Sequence, residues 1–258
     1  MKKNTLGLPL EYEKLSEYFD ARNIGDDTNA KNSAVERLLK THKVQTVLDL
    51  TCGTGSQVFF LTKRGYKCVG SDFSPALLEI ARKRAHEEKV DIKFIDGDMR
   101  TLRVGRFDAV ISIFNAVGHL TKVGFEKTMK NVHQNLKAGG IYIFDILNLE
   151  AMSDAVVADL AYYIHKKFNG TQMPIVQFST INRNNGRLTS YDNYIVQKNA
   201  AKPEKFGNKF SLQIYTAKEL RTMLAKNGFE TIGQYTMDGT KFLEKQSLNI
   251  LTVARKIG

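Results

Sequence analysis

The stretch Val47-Leu48-Asp49-Leu50-Thr51-Cys52-Gly53-Thr54-Gly55 decides how this 258-residue chain is read. Residues 46–50 have the β-branched and aliphatic composition of a buried parallel strand, and the run carries an acid near its end. Gly53 and Gly55 then permit a tight turn and a close approach of backbone to a ligand. Val58, Phe59, Phe60 and Leu61 open a helical pattern that ends in Lys63, Arg64 and Gly65, a basic last turn before a glycine. Strand, glycine loop and helix in that order suit a nucleotide-binding α/β unit, because the loop N–H groups and the helix N-terminus face the polar end of a ligand.

Spacing narrows the ligand. A dinucleotide fingerprint requires G-x-G-x-x-G, whereas positions 51, 53 and 56 read Thr, Gly and Ser, and the chain has no G-K-[ST] tripeptide for a Walker loop. Outward from the loop the unit repeats. Residues 66–71 form a second strand, Ser74-Pro75 an N-cap with proline at the first helical position, and 76–88 a helix with apolar positions 77, 78, 81 and 85. Strands follow at 92–95 and 107–114, then a helix over 124–137 burying Phe125, Met129, Val132 and Leu136. Ala138-Gly139-Gly140 is read as a turn into a fifth strand, 141–147. Five alternating units imply a parallel sheet with right-handed crossovers.

The flanks read differently. Residues 1–23, with Leu8, Leu10, Leu15, Tyr18 and Phe19 among charged positions, suggest an irregular start and a short amphipathic helix, broken at Gly25-Asp26-Asp27-Thr28 before a helix over 31–40. After Asn148 a helical stretch, 149–161, precedes β-rich segments at 162–168, 175–183, 188–198 and 209–214, joined by Asn-Gly, Asn-Asn-Gly and Lys-Pro turns. These are expected to be antiparallel. Thr216 with Glu219 makes a capping box, flanked by Tyr215 and Leu220 as a hydrophobic staple, so a last helix runs to Asn227-Gly228. Strands at 230–237 and 247–255 close the chain.

Composition bounds the class. A hydrophobic content of 42% supports an ordinary globular core. The apolar stretches are of strand length or are interrupted by Asp154 and Asp159, so no membrane span is expected. Two lysines at the N-terminus have no apolar run behind them, which argues against a secretory signal. Cys52 and Cys68 make no disulfide framework, so a reduced, cytoplasmic protein is expected. No His/Cys/Asp cluster with ligand spacing calls for a metal. The formal charge of +11 raises the question of nucleic acid. The basic residues are scattered, however, and the clusters Arg82-Lys83-Arg84 and Lys166-Lys167 lack interleaved stacking aromatics, which favours solvated faces.

Four pieces fall at the carboxyl ends of successive strands, where open α/β sheets bind ligands. The first is the glycine loop. The second is Asp72, whose carboxylate is suited to accept both ribose hydroxyls. The third is the turn Gly97-Asp98-Met99, and the fourth is the loop Phe114-Asn115-Ala116-Val117-Gly118-His119-Leu120.

The loop D-L-T-C-G-T-G resembles the first motif of the class I S-adenosylmethionine-dependent methyltransferases, with Thr51 where that family usually carries Gly or Ala. G-D-M-R, N-A-V-G-H-L, K-A-G-G-I-Y-I-F-D, Y-T-A-K-E-L and L-T-V-A-R-K extend the resemblance to members acting on small amines, among them glycine, sarcosine and sugar-amine N-methyltransferases. It implies a Rossmann-like α/β fold: a mostly parallel seven-stranded sheet with helices on both faces, plus an antiparallel lid insertion. The implied division is a cofactor domain of residues 1–148 and 216–258, with 1–30 as a cap segment, and a substrate lid over 149–215.

The same resemblance implies S-adenosylmethionine as cofactor, S-adenosylhomocysteine as product and a small-molecule acceptor, most simply an amine nitrogen. Implied cofactor contacts are Tyr12, Asp49, Thr51, Cys52, Gly53, Gly55, Asp72, Phe73, Asp98, Met99 and Phe114, with Asp98 placed to meet the adenine amino group. His119 is carried over as base, since an unperturbed imidazole is largely neutral near pH 7, and Asn115 as a residue orienting substrate or cofactor. Glycine-acting relatives place an arginine after the fifth strand, where this chain has Ile146-Leu147-Asn148, so a carboxylate clamp falls to Arg100, Arg183 or Arg187. Tyr191, Tyr194 and Tyr215 either line the lid pocket or pack as ordinary strand residues. The alternatives are a methyltransferase acting on RNA or another macromolecule, and a silent S-adenosylmethionine-binding protein. The acceptor, the atom methylated and the oligomeric state are not written in the sequence.

Overall fold

The computed structural model describes residues 6–25, 27–168, 171–198 and 201–258. The expected Asn169-Gly170 turn and Asp26 of the helix break lie outside them. Two short 3-10 turns, Leu10–Tyr12 and Ser16–Tyr18, lead into α1 (Phe19–Asn23) and α2 (Thr28–Thr41). The alternating region follows as β1 (Thr46–Asp49), α3 (Ser56–Thr62), β2 (Lys67–Asp72), α4 (Pro75–Glu87), β3 (Lys93–Asp96), β4 (Phe107–Ser112), α5 (Lys122–Asn135) and β5 (Leu136–Leu147). Then come α6 (Asp154–Asp159), the strands β6 (Tyr162–Phe168), β7 (Thr171–Asn182), β8 (Arg187–Lys198) and β9 (Glu204–Gln213), and finally α7 (Ala217–Lys226), β10 (Phe229–Tyr235) and β11 (Asn249–Lys256).

Seven strands form one sheet in the order β10-β11-β5-β4-β1-β2-β3, in which β11 runs antiparallel to both neighbours and the other pairings are parallel. Successive residues of its central strands face opposite sides. Val47, Ala109, Ile111, Ile141 and Ile143 pack with Val35 and Leu39 of α2, while Leu48, Val110, Tyr142 and Phe144 pack with Phe125 and Met129 of α5 and Leu220 of α7. Burial on both faces is why β4 reads as an almost wholly apolar run around Ala109, Val110 and Ile111. Ser74 and Thr216 cap α4 and α7 as expected, accepting the N–H of Leu77 at 3.3 Å and of Glu219 at 3.1 Å.

Three local expectations change. The Ala138-Gly139-Gly140 turn lies within β5, where four residues of β5 answer one of β4 between the pairs Phe107–Leu136 and Ala109–Ile141, and Gly139 takes φ +70°. Sheet pairing absorbs the glycines as a bulge instead of ending the strand. The 149–161 helix shrinks to a 3-10 turn and the short α6, because Ser153 caps a new start by accepting the Val156 N–H. The amphipathic start is mostly two isolated turns.

The second sheet, β6-β7-β8-β9, is an antiparallel meander. Leu15 and Tyr18 pack against its Met173, Ile175 and Tyr194, so the N-terminal segment and the insertion share a small core of their own. Asn148 pins the point where the chain leaves the main sheet: fully buried, it donates to the carbonyls of Glu244 at 2.6 Å and Ser247 at 2.9 Å and accepts the Glu150 N–H at 3.1 Å.

A buried charge cluster ties the two parts. Arg22, its side chain 10% exposed, is paired with the fully buried Glu11 and lies 3.4 Å from Asp192, also fully buried, and 2.9 Å from Gln177 Oε1. The Tyr194 hydroxyl donates to Asp192 Oδ2 at 2.9 Å. Removing the cation strands two carboxylates in low dielectric, which is costly. Arg22→Met is therefore expected to lower stability by about 3 to 5 kcal/mol in a urea titration, whereas Lys198→Ala, which breaks an exposed pair with Glu17, leaves the midpoint nearly unchanged.

Candidate active site

The carboxyl ends of β1, β2, β4 and β5 enclose a cavity of about 290 Å³. It straddles β1 and β4, where connections leave the sheet in opposite directions and an open α/β sheet has its natural crevice. Asp49, Thr51, Gly53, Asp72, Phe114 and His119 line it, and Leu8, Tyr12 and Phe19 cover it. A second cavity of about 600 Å³ shares Leu8, Phe73, Met99 and His119 with the first and extends past Asp98 and Arg100 to Leu120.

Asp72 ties the glycine loop to the next unit. One carboxylate oxygen accepts the Gly53 N–H and the other the Ser74 N–H, both at 2.9 Å. Burial nevertheless pushes its pKa up to about 6, against the opposing pull of these bonds. Asp49 accepts the Thr51 N–H at 3.0 Å, and burial, with the nearby Asp72 adding to it, raises its pKa to about 7. Gly53, at φ +55°, brings bare backbone to the cavity wall, with Phe19 ring atoms 3.4 Å from where a Cβ would stand. Thr51 Oγ1 is buried there with no partner.

At the end of β4 two consecutive non-glycine residues, Phe114 (φ 64°) and Asn115 (φ 59°), adopt the left-handed conformation. Such strain persists only where the surroundings over-determine it. Both oxygens of Asp145, itself 1% exposed, lie 3.1 Å from the Asn115 N–H, and Asn115 Oδ1 accepts the Leu147 N–H at 3.2 Å. Gly118 makes room, since a Cβ there would stand 2.9 Å from Asn115 Oδ1. The result turns the Phe114 side chain into the cavity wall. Burial raises the Asp145 pKa to about 6, while the Asn115 and Phe114 N–H groups and then the charge of Lys31 oppose the rise.

His119 lines both cavities and is nearly buried. Burial lowers its pKa to about 4, against a hydrogen bond to the Gly7 backbone, and Nδ1 has no partner. A roof segment crosses it: the Leu6 N–H donates to the His119 carbonyl at 2.9 Å, and the Ser211 N–H to the Leu6 carbonyl at 2.7 Å. The Tyr12 ring lies at 5.5 Å centroid distance from His119 and stacks on Phe73 at 6.0 Å, and Ser74 Oγ donates to the Tyr12 carbonyl.

Other expected residues are placed differently. Gly55 lines neither cavity; at φ +90° it shapes the start of α3 against the Phe59 ring. Cys52 does line the first cavity, while also packing in the core with Val58 and Leu78. Asp98 lies along the second cavity but is held by the Arg100 guanidinium; burial pushes its pKa up, and the Arg100 bonds outweigh this to leave it low. Arg100 and Arg183, the latter bonded to Asp154 and the Met152 carbonyl, are thus engaged within the chain. Tyr194 and Tyr215 are buried in cores, Tyr191 stacks on Phe178, and no described residue of 149–215 lines either cavity. No three potential metal ligands gather among the described residues, and no described helix is long and apolar enough to cross a membrane.

Sequence reasoning passed over Asp145, Lys31, Phe19 and Asn23, all of which line the first cavity. An acid at the carboxyl end of an apolar strand was the available signal for Asp145, as it was for Asp49. Because the Asp49 pKa is raised on folding, its charge costs stability, a cost absent below about pH 4 and complete above about pH 7. Asp49→Asn is expected to gain on the wild type by about 2 to 4 kcal/mol between pH 4.5 and pH 8 in ligand-free denaturation, and a pH-independent difference would contradict the burial argument.

Residues 47–140 match a family described as a methyltransferase domain. Glycine N-methyltransferase from Homo sapiens is 28% identical over 177 residues, 62% of this chain and 59% of that protein. A dTDP-3-amino-3,4,6-trideoxy-α-D-glucopyranose N,N-dimethyltransferase from Streptomyces venezuelae is 33% identical over 125 residues, 45% of this chain and 51% of that protein. The chain thus spans about half to three fifths of these curated relatives. A solved sugar N-methyltransferase from Streptoalloteichus superposes with a TM-score of 0.79 at 18% identity, covering 100% of this chain and 98% of that one. Residues 47–140 are therefore a methyltransferase domain, and the fold built around them is that of the class I S-adenosylmethionine-dependent methyltransferases.

Proposed function

We propose that the chain transfers a methyl group from S-adenosylmethionine to a small-molecule acceptor, most simply an amine nitrogen. The observation that carries this reading is one covered cavity in which the acids at the strand ends meet a neutral histidine with an unpartnered Nδ1. The cavity suits the cofactor: it offers bare backbone at Gly53, an orphaned hydroxyl at Thr51 and buried carboxylates. Asp72 would hold the ribose hydroxyls, Phe73 and Met99 the adenine faces, and the loop from Asp49 to Gly53 the sulfonium end. The cofactor supplies an electrophilic methyl group.

The protein's own residues prepare the acceptor. Burial keeps His119 neutral, and Nδ1, buried and without a partner, is the ring nitrogen left to meet an acceptor N–H that packs against the imidazole. That contact aims the acceptor nitrogen and receives its proton on transfer. The Tyr12 phenol, its pKa raised by burial, stays neutral beside it. The roof of Leu8, Tyr12 and Phe19 excludes water from the reacting centre. Within this reading residues 1–148 and 216–258 are the cofactor domain and 1–30 its cap. Residues 149–215 act as a lid that works through that cap, which they grip at Leu6, Leu8 and Arg22.

Two tests follow from these roles. In thermal shift the protein should be stabilised by S-adenosylmethionine and S-adenosylhomocysteine and not by NAD, and Asp72→Ala should weaken S-adenosylhomocysteine binding by about 1 to 3 kcal/mol in calorimetry. Over a panel of amines, amino acids and amino sugars, His119→Ala should lower kcat about a hundredfold on the amine the wild type methylates, with the cofactor affinity largely kept. Methylation of RNA with none of the panel consumed would overturn the small-molecule assignment.

A further inference from the structure

The first cavity opens to solvent on one side. Of the described residues that line it, Asn23, Ile24 and Phe114 alone are exposed, so its mouth lies between the end of α1 and the turn after β4. Met237, in the loop between β10 and β11, and Asn249, where β11 begins, add further wall. That loop lies along α2, the Arg37 guanidinium donating to the Asp238 carbonyl at 2.6 Å. Its turn is fixed by the Asp238 carboxylate, which accepts the Thr240 N–H at 2.9 Å and the Thr240 hydroxyl at 2.8 Å. Met237 is thereby held in a set place.

The rim is apolar. Ile24 and Phe114 are each 36% exposed, and Leu248, next to Asn249, is 46% exposed. Large apolar side chains left in water around a cavity entrance mark a surface that a ligand covers. Phe114 is the sharper case, because it is bulky, left-handed at φ 64° and yet only partly buried. Packing does not offset backbone strain at an exposed ring, and strain of this kind collects where a protein meets its ligand. The polar groups beside the rim are engaged, apart from the Asn249 amide. Asn23 Nδ2 donates to the Phe19 carbonyl at 2.9 Å, Lys31 pairs with Asp27 at 2.5 Å, and Asp145 accepts the Asn115 N–H. A row of hydroxyls entering here gives up water for an apolar wall without matching hydrogen bonds, whereas an apolar group gains by the same exchange.

We propose that the methyl acceptor is an amine carrying an apolar body, aliphatic or aromatic, which packs on Ile24, Phe114 and Met237 at the mouth while its nitrogen reaches inward to His119. The assignment rests on the amine reading above and makes Ile24 and Phe114 specificity-determining residues. It accounts for the exposed rim and gives the strained turn a second purpose, since the turn that places His119 also sets an aromatic face at the entrance. A thioether at Met237 suits such a body, being adaptable in shape.

The test compares acceptors at saturating S-adenosylmethionine. Wild-type kcat/KM should be at least about tenfold higher for hexylamine and benzylamine than for glycine and glucosamine. Ile24→Ser and Phe114→Ser should each lower kcat/KM on benzylamine about tenfold, mainly through KM, and change that on methylamine, which is too short to reach the rim, by less than about twofold. S-adenosylhomocysteine affinity in calorimetry serves as the check on folding, and should Phe114→Ser lose it, Ile24→Ser, on an exposed segment, decides alone. Glycine or glucosamine used as well as benzylamine, or an unchanged ratio of benzylamine to methylamine in Ile24→Ser, overturns the apolar acceptor and leaves the amine reading standing. A wild type that binds S-adenosylhomocysteine and methylates no amine overturns the amine reading and this assignment with it.

Discussion

A single buried carboxylate holds the site together. Asp72 accepts one N–H from the glycine loop and one from the start of α4, and Ser74, positioned by that second bond, donates to the roof at Tyr12. Three segments far apart in sequence thus meet on one side chain whose ionisation is costly where it sits. The network also explains why the loop keeps its shape without the glycine pattern of a dinucleotide site: Asp72 accepts the bond at Gly53, and Asp49 fixes Thr51.

Strain and charge are balanced locally in the same way on the other side of the cavity. Phe114 and Asn115 occupy a left-handed turn that neither side chain favours, and Asp145, Leu147 and the bare backbone of Gly118 hold them there. Farther out, Arg22 sits between Glu11 and Asp192 and couples the cap to the insertion. In each case a polar group deep in the fold is tolerated because backbone donors or an opposite charge meet it.

Much of the frame was legible in the sequence because it rests on local chemistry. Apolar runs of strand length gave the strands, Ser74-Pro75 and Thr216 with Glu219 gave helix starts, and the glycine loop located the crevice. What stayed hidden depends on tertiary pairing. Nothing in Ala138-Gly139-Gly140 says that β4 will hold it as a bulge, and nothing in Lys31 distinguishes it from other lysines on α2 until the helix is laid beside the cavity. Asp98 fitted its place in the series, yet its partner Arg100, two residues away, was read as a substrate clamp. The tyrosines of the insertion pack as strand residues commonly do: Tyr194 against Leu15 and Tyr18, Tyr191 on Phe178, and Tyr215 in the main core beside Phe125.

The roof is stitched to its surroundings by main-chain bonds: Leu6 to His119, and Ser211 to Leu6. Its lining is made of side chains, Leu8, Tyr12 and Phe19, that take no part in those bonds. Path and lining are therefore separable. Substitution can exchange the side chains that line the cavity from above while the strap keeps its course, so chains sharing this architecture are free to diverge in the shape of that cavity without rebuilding the strand ends beneath it.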